Sequence, residues 1–220
     1  MQALGDAKSV VNVGAGAGSY EPRDRMLIAV EPSETMIAQR PQDAAPVVRA
    51  VGEALPFADK SFDAASAFLS VHHWPDKSVG LRELMRVARK RCVFFTWTPP
   101  DTEFWLARDY IPEITTLTRE DFDLRHFRDA LGDIEVRTVM VPEDCTDGFL
   151  CAYWKRPEFY LDPGVRLSMS ILSMVPDPSV ALERLARDIA DGSWARRNAD
   201  LLRQREMDYG YRIIIAEQGH

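Results

Sequence analysis

Residues 10–22 read VVNVGAGAGSYEP. The β-branched residues Val10, Val11 and Val13 give way at once to three glycines at alternate positions, Gly14, Gly16 and Gly18. β-Branched residues favour extended backbone, and glycines at that spacing let the chain turn tightly and bring bare backbone against a ligand. In open α/β folds the ligand sits at the carboxyl edge of the sheet, where such a loop would lie. The register is not that of a dinucleotide fingerprint. The third position of GxGxxG is Ser19 and Gly18 falls one residue early, which disfavours a nicotinamide cofactor.

Outward from this loop, the first hundred residues alternate short apolar runs with helical patterns, the rhythm of a parallel sheet with crossover helices. Strands are expected at Ser9 to Val13, Met26 to Val30, Pro46 to Val51, Phe62 to Val71 and Arg91 to Thr96. Between the last two, Leu81, Leu84, Met85 and Ala88 recur at helical spacing and predict an amphipathic helix. Its basic tail, Arg86 to Arg91, reads as a solvated helix end.

After Pro99 and Pro100 an irregular, helix-leaning stretch runs to about Leu131. Ile134, Val136, Thr138 and Met140 then alternate as in a strand, and a polar turn follows. Residues from about 145 to 207 look helical, with one helix begun by Asp177 and Pro178 and ended at Gly192. The terminal GYRIIIAEQ is a compact strand. A last strand that returns to pair antiparallel with its predecessor makes the helices an insertion, so 1–220 is expected to be a single domain.

Composition narrows the function classes. The 220 residues, 46% apolar and 28% charged, suit one globular domain with room for a core and a pocket. A net charge of −7 disfavours a polyanion, so no nucleic-acid partner is expected and a small molecule fits better. Cys92, Cys145 and Cys151 cannot pair completely and show no CxxC spacing, which points to a reducing compartment and argues against structural zinc, and no metal site is expected. No stretch reaches the roughly 18 apolar residues of a membrane span. A cytoplasmic location is expected.

Two acids repeat the logic of the glycine loop. LIAVE ends in Glu31, seventeen residues beyond Gly14, where a carboxylate can accept both hydroxyls of a ribose. Its bland alternative is a charge at the start of a helix ahead of Ser33 and Glu34. In VGEALPFADKSFDAA, Glu53 follows the next strand and can receive an adenine amine, while the Ala54 N–H reaches a ring nitrogen. Alone, Glu53 would be a loop acid. Together the three outline glycine loop, ribose anchor and base anchor in chain order.

With AVEPSETM and the strand end FLSVHHWPD added, Ser9 to Pro99 resembles the class I S-adenosylmethionine-dependent methyltransferases, especially the small-molecule group with ubiquinone/menaquinone-type enzymes. The resemblance implies an α/β, Rossmann-like, seven-stranded and mostly parallel sheet with an antiparallel last strand and a helical insertion before it. Residues 1–99 would form a cofactor-binding half and 100–220 an acceptor-binding half. S-Adenosylmethionine would lie across Gly14, Ala15, Gly16 and Gly18, with Glu31 and Pro32 at the ribose, Met36 beside the adenosine, Glu53 and Ala54 at the adenine, and Leu69 at the methionine moiety. Asn12 stands where many relatives carry an acid that helps to hold the methionine ammonium. Relatives commonly have helices before the first strand that close over the pocket. About eight residues precede it here, so the lid is expected from the later helical insertion, from a partner chain, or from residues that precede this sequence in the natural protein.

Methyl transfer is an in-line displacement that chiefly needs alignment and exclusion of water. An acceptor oxygen or neutral nitrogen must also lose a proton, and histidine titrates near neutrality. His73 is the preferred base, with His72 beside it and Asp144 and Asp147 as rivals. Trp74 and Trp97 are expected at the acceptor, with Trp105, Tyr110, Phe149, Tyr153 and Trp154 as further aromatics near the pocket. The expected reaction carries a methyl group to a small aromatic or heteroaromatic specialised metabolite and leaves S-adenosylhomocysteine. The alternatives are a nicotinamide oxidoreductase, an RNA or protein methyltransferase, and a non-catalytic protein of this fold that binds cofactor or a partner. A homodimer is compatible with the sequence.

Overall fold

A computed structural model describes residues 2–99, 102–118 and 123–219. The valine run before the glycines is β1 (Ser9–Val13), buried at every position. It pairs in parallel with β2 (Met26–Val30) on one side and with β4 (Phe62–Phe68) on the other. The sheet continues outward through β3 (Val47–Val48) beyond β2 and through β5 (Ala88–Trp97) beyond β4, again in parallel. β6 (Glu135–Thr138) and β7 (Tyr211–Glu217) complete it as an antiparallel pair, with Val136 opposite Ile214. The seven strands lie in the order β3, β2, β1, β4, β5, β7, β6. The chain leaves β1 in one direction and returns on its other side as β4, so the strand order switches there and a ligand crevice opens beyond their carboxyl ends.

The boundaries of β3, β4, the crossover helix and β5 differ from the sequence expectation, those of the first three for local reasons. β3 keeps two residues of the expected six because Val51 already accepts a turn hydrogen bond from the Ala54 N–H. β4 stops at Phe68 because Leu69 takes a left-handed backbone, φ +50°, which no strand continues. The crossover helix α2 (Lys77–Val87) ends one residue early, since Ala88 is already extended, φ −85° and ψ 140°, and begins β5. Asp76 starts α2 by accepting the Val79 N–H at 2.9 Å.

Side chains alternate between the two faces of the sheet. Val11, Val13, Ala65, Ala67, Cys92 and Phe94 pack with Leu81, Leu84 and Val87 of α2 and with Phe127 of α3 (Leu124–Leu131). On the opposite face Val10, Ala64, Val93 and Ile215 pack with Ala3, Leu4 and Ala7. A sheet covered on both faces explains why these strands read as nearly unbroken apolar runs.

The chain divides into two compact units, one of residues 1–98, 122–138 and 212–220 and the other of 99–121 and 139–211. The second half of the sequence therefore contributes to both. In the second unit α4 (Ser179–Ala190) begins where the Asp177 carboxylate accepts the Ser179 N–H at 3.0 Å, and Gly192 follows its end with φ +75°. Val141–Pro142 pairs antiparallel with Glu206–Met207. The core of this unit is aromatic. Trp105, Trp154, Tyr160 and Tyr209 are fully buried, with the Trp105 indole donating to the Trp154 carbonyl at 2.7 Å. The sequence placed Trp105, Tyr110 and Trp154 near a pocket, whereas all three are buried in this core. Among the described residues no helix is long and apolar enough to cross a membrane.

Candidate functional site

Beyond β1 the chain folds back on β2. The Gly14 and Ala15 N–H groups both donate to the Val30 carbonyl, at 2.8 and 3.0 Å. Gly14, Gly16 and Gly18 have φ of +73°, +54° and +100°, backbone that L side chains adopt only at a cost. A β-carbon at Gly14 would lie 2.4 Å from Ser70 Cβ, so only bare backbone at Gly14 admits the Ser70 side chain. The Ser70 hydroxyl donates to the Val13 carbonyl at 2.9 Å and ties the two strand ends together.

Glu31 follows β2 directly and is 7% exposed. Its Oε2 accepts the Gly16 N–H at 2.8 Å and its Oε1 accepts the Ser33 N–H at 2.9 Å. A carboxylate has about four acceptor sites, so these two bonds fix its orientation and leave others for ligand hydroxyls. Ser33 caps the short helix α1 (Glu34–Ala38), and Met36 on that helix brings its terminal methyl to 3.3 Å from where a β-carbon on Gly16 would stand. Pro32 is exposed between Glu31 and the cap. Asn12 is 1% exposed and accepts at 3.2 Å from the hydroxyl of Ser66, its register partner on β4.

The second loop is organised around Glu53, which is half-buried and accepts the Asp76 N–H at 3.2 Å. The Ala54 N–H, expected to face a ring nitrogen, donates instead to the Val51 carbonyl at 3.3 Å. Glu83 and Arg86 hold this loop from behind. Glu83 accepts the Leu55 N–H at 2.9 Å, and Arg86 donates to the carbonyls of Leu55 and Phe57 at 3.1 and 2.8 Å. The hydrogen bonds from Arg86 keep the Glu83 carboxyl below its ordinary range. Arg86 was expected as a solvated helix end. The available signal was its partner three residues earlier, which puts both charges on one face of α2.

Trp74 lies in the core beneath this loop, 7% exposed. A β-carbon on Gly80 would stand 2.4 Å from its ring and one on Gly52 3.0 Å from it. Trp74 therefore packs between α2 and the residue before Glu53, a structural place rather than the acceptor wall anticipated for it.

The donor set suits a nucleoside that carries an amino-acid tail: bare backbone at the switch point, a buried carboxylate after β2 and a half-buried one after β3. A family model described as a methyltransferase domain matches residues 11–96. A solved protein of Anabaena variabilis, named as a methyltransferase from an antibiotic biosynthesis pathway, is 27% identical and superposes with a TM-score of 0.88 over 95% of this chain and 90% of its own. Residues 11–96 thus match a methyltransferase domain, and the chain has the class I S-adenosylmethionine-dependent methyltransferase fold. The uncharacterized methyltransferase YcgJ of Bacillus subtilis is 27% identical over 131 residues, 54% of this chain but only 48% of that protein. Its structure shares the fold at 15% identity, with a TM-score of 0.53 over 97% of this chain and 92% of that one.

Leu69 follows β4 directly, with its left-handed backbone held by an N–H bond to the Phe95 carbonyl at 2.7 Å. Residues held in such sparsely populated backbone regions cluster at functional sites. His72 and His73 follow in the single turn Val71–His73, half-buried and exposed respectively, with ring centroids 3.8 Å apart. Trp97, half-buried, ends β5. Asp144 and Asp147 are in the second unit, Asp144 exposed and Asp147 half-buried, accepting the Gly148 N–H at 2.7 Å.

Sequence reasoning missed Tyr20, Phe68 and Phe95. Phe68 and Phe95 are register partners on β4 and β5, and Tyr20, left-handed at φ +61°, sets its ring 5.9 and 6.0 Å from theirs. All three are half-buried. Two-residue alternation puts Phe68 on the face of Ser66, beside Asn12, and Trp97 on the face of Phe95. Nothing in the local sequence marked Tyr20 as a residue that would fold back over the sheet.

Proposed function

We propose that this methyltransferase carries a methyl group from S-adenosylmethionine to a small aromatic or heteroaromatic acceptor, leaving S-adenosylhomocysteine. The observation that carries the acceptor class is the half-buried aromatic group Tyr20, Phe68 and Phe95 at the carboxyl edge of the sheet. Ring faces favour flat or cationic ligands over strongly hydrated ones. The antibiotic-pathway protein supports a specialised metabolite as the acceptor.

Gly14, Ala15, Gly16 and Gly18 would cradle the cofactor, Glu31 with Pro32 would take the ribose, and Met36 would cover the adenosine. Glu53, with the Ala54 segment, would face the adenine, and Asn12 and Leu69 would face the methionine end. The bound cofactor supplies an electrophilic methyl group on a sulfonium. Trp97 would contact the acceptor and His73, aided by His72, would take its proton. As the acceptor oxygen or nitrogen gained the methyl group and the sulfonium became a neutral thioether, the imidazole of His73 would hold the proton that the acceptor loses. Asp144 and Asp147 are the rival proton acceptors.

Calorimetry with S-adenosylmethionine, S-adenosylhomocysteine and NAD tests the cofactor half of this reading. Binding of NAD alone would overturn it. Transfer of a labelled methyl group to members of a panel of phenols, indoles and aromatic amines tests the acceptor half. Labelling of aliphatic acceptors only would retire the aromatic assignment.

A further inference from the structure

Only twelve residues separate β1 from β2, and the described structure places no helix among them. The glycine loop must therefore be fixed by something other than a helix continuing from it. Behind it lies Arg40, just past α1, with a side chain 5% exposed, paired with Glu21, 8% exposed, from the loop itself. Arg40 Nη1 donates to the Gly16 carbonyl at 3.1 Å, while Nη2 donates to the Ala45 carbonyl at 3.0 Å and to the Glu21 carboxylate. The other Glu21 oxygen accepts the Ala45 N–H at 3.0 Å. Gly16 is thus gripped at both of its peptide groups, its N–H by Glu31 and its carbonyl by Arg40.

A buried ion pair is a poor source of net stability, because desolvation offsets most of the attraction and apolar residues of the same volume often do as well. This pair is instead placed to determine where one peptide sits. We propose that Arg40, anchored by Glu21, is a positioning residue for the cofactor site, holding Gly16 so that Glu31 presents its free acceptor sites to the ribose. The inference rests on the cofactor reading above. It assigns a functional part to Arg40, behind the loop, and to Glu21, at the loop's end, to neither of which the sequence reading gave a role. Losing the guanidinium would let the Gly16 peptide rotate, and Glu31 would lose the N–H that orients it.

The test uses protein labelled with 15N-glycine and two readouts, hydrogen exchange of the Gly16 amide and the Kd for S-adenosylhomocysteine. The double variant Arg40→Met with Glu21→Gln removes both charges and leaves neither partner buried alone. Its Gly16 amide is expected to exchange about tenfold faster and its Kd to rise about tenfold, the scale of one charge-assisted hydrogen bond. Arg40→Lys, which keeps the charge, should recover part of both. Phe127→Leu, in the core on the far face of the sheet, supplies a matched loss of thermal stability and should leave both within about twofold, since remote sites act independently. Unchanged Gly16 exchange in the double variant, or equal losses in Phe127→Leu, would overturn the proposal. Should the wild-type protein bind no S-adenosylhomocysteine, the cofactor reading fails, and the exchange comparison still decides whether Arg40 holds the loop.

Discussion

Gly14 and Ser70 approach so closely that a β-carbon on the glycine would fall 2.4 Å from that of the serine. The contact joins the end of β1 to the end of β4 at the switch point of the sheet, and the Ser70 hydroxyl reinforces it through the Val13 carbonyl. Gly14→Ala meets two costs, a positive φ and an overlap with a fixed neighbour. Together they amount to about 2–4 kcal/mol of lost stability. Adding Ser70→Gly removes the overlap but not the backbone cost, so the double variant is expected to regain about half. Urea denaturation of the two variants measures this. A Gly14→Ala protein as stable as wild type would mean that the strand ends are further apart than described.

Glu31 is held by two backbone N–H groups before any ligand arrives. Glu31→Ala is expected to weaken binding of S-adenosylmethionine and S-adenosylhomocysteine by about 1–3 kcal/mol, the range for hydrogen bonds to a charged group. Glu31→Gln keeps the shape and loses the charge, and should fall between. Calorimetric affinities equal to wild type in both variants would place the ribose elsewhere.

The sheet was legible from residues 9–97 because each strand there carries a short apolar run, but the ends of β3 and β4, at Val48 and Phe68, were not, since the residues that follow are ones a strand can hold. Glu31 drew notice because it stands directly after β2, and Glu53 because it follows the longer third strand that the sequence suggested. What else was not legible depends on contacts between distant residues. Arg40 and Glu21 are nineteen residues apart, and neither looks unusual in its own segment. The return of residues 122–138 to the sheet unit depends on β7, more than seventy residues later, for its pairing. Tyr20 folds over Phe68 and Phe95 only because the loop between β1 and β2 turns without a helix. Trp74 misled because an aromatic residue after two histidines near a strand end looks like a wall, while the two glycines that admit it to the core, Gly52 and Gly80, lie in other segments.

The position of Trp74 has its own consequence. Gly80→Ala would place a methyl group 2.4 Å from the indole ring, within a helix that otherwise prefers alanine. The overlap is expected to outweigh the helical gain and cost about 1–3 kcal/mol. Trp74→Phe should lower the melting temperature while leaving methyl transfer to any established acceptor with an unchanged acceptor KM. A raised acceptor KM without loss of stability would restore Trp74 to the acceptor site.

His73 and His72 lie side by side in the turn that follows Leu69, ring centroids 3.8 Å apart and planes tilted by 48°. With an acceptor in hand, His73→Ala is expected to lower kcat by about 10²–10⁴-fold if proton removal limits the reaction, with little change in the Kd for S-adenosylmethionine. An acceptor already deprotonated at the assay pH should be spared. Equal kcat for wild type and variant on a phenol of high pKa would remove His73 from the chemistry.

Glu83 links the second loop to acid stability. The hydrogen bonds from Arg86, opposed by partial burial and helped by the Leu55 N–H, lower its carboxyl below the ordinary value of 4.5. The unfolded chain therefore takes up this proton more readily than the folded one. The resulting stabilisation is fully present above pH 4.5 and is lost as the pH falls through the lower folded value. Glu83→Gln should cost about 1–2 kcal/mol at pH 7, for the weakened bonds to Arg86 and Leu55, and less as the pH drops below the carboxylate range. Because those bonds hold the backbone just after Glu53 and Ala54, the same variant should also weaken S-adenosylhomocysteine binding at pH 7. A wild-type acid transition that Glu83→Gln leaves unshifted would show that other carboxylates govern it, and unchanged affinity would detach the loop's rear anchor from the adenine side of the site.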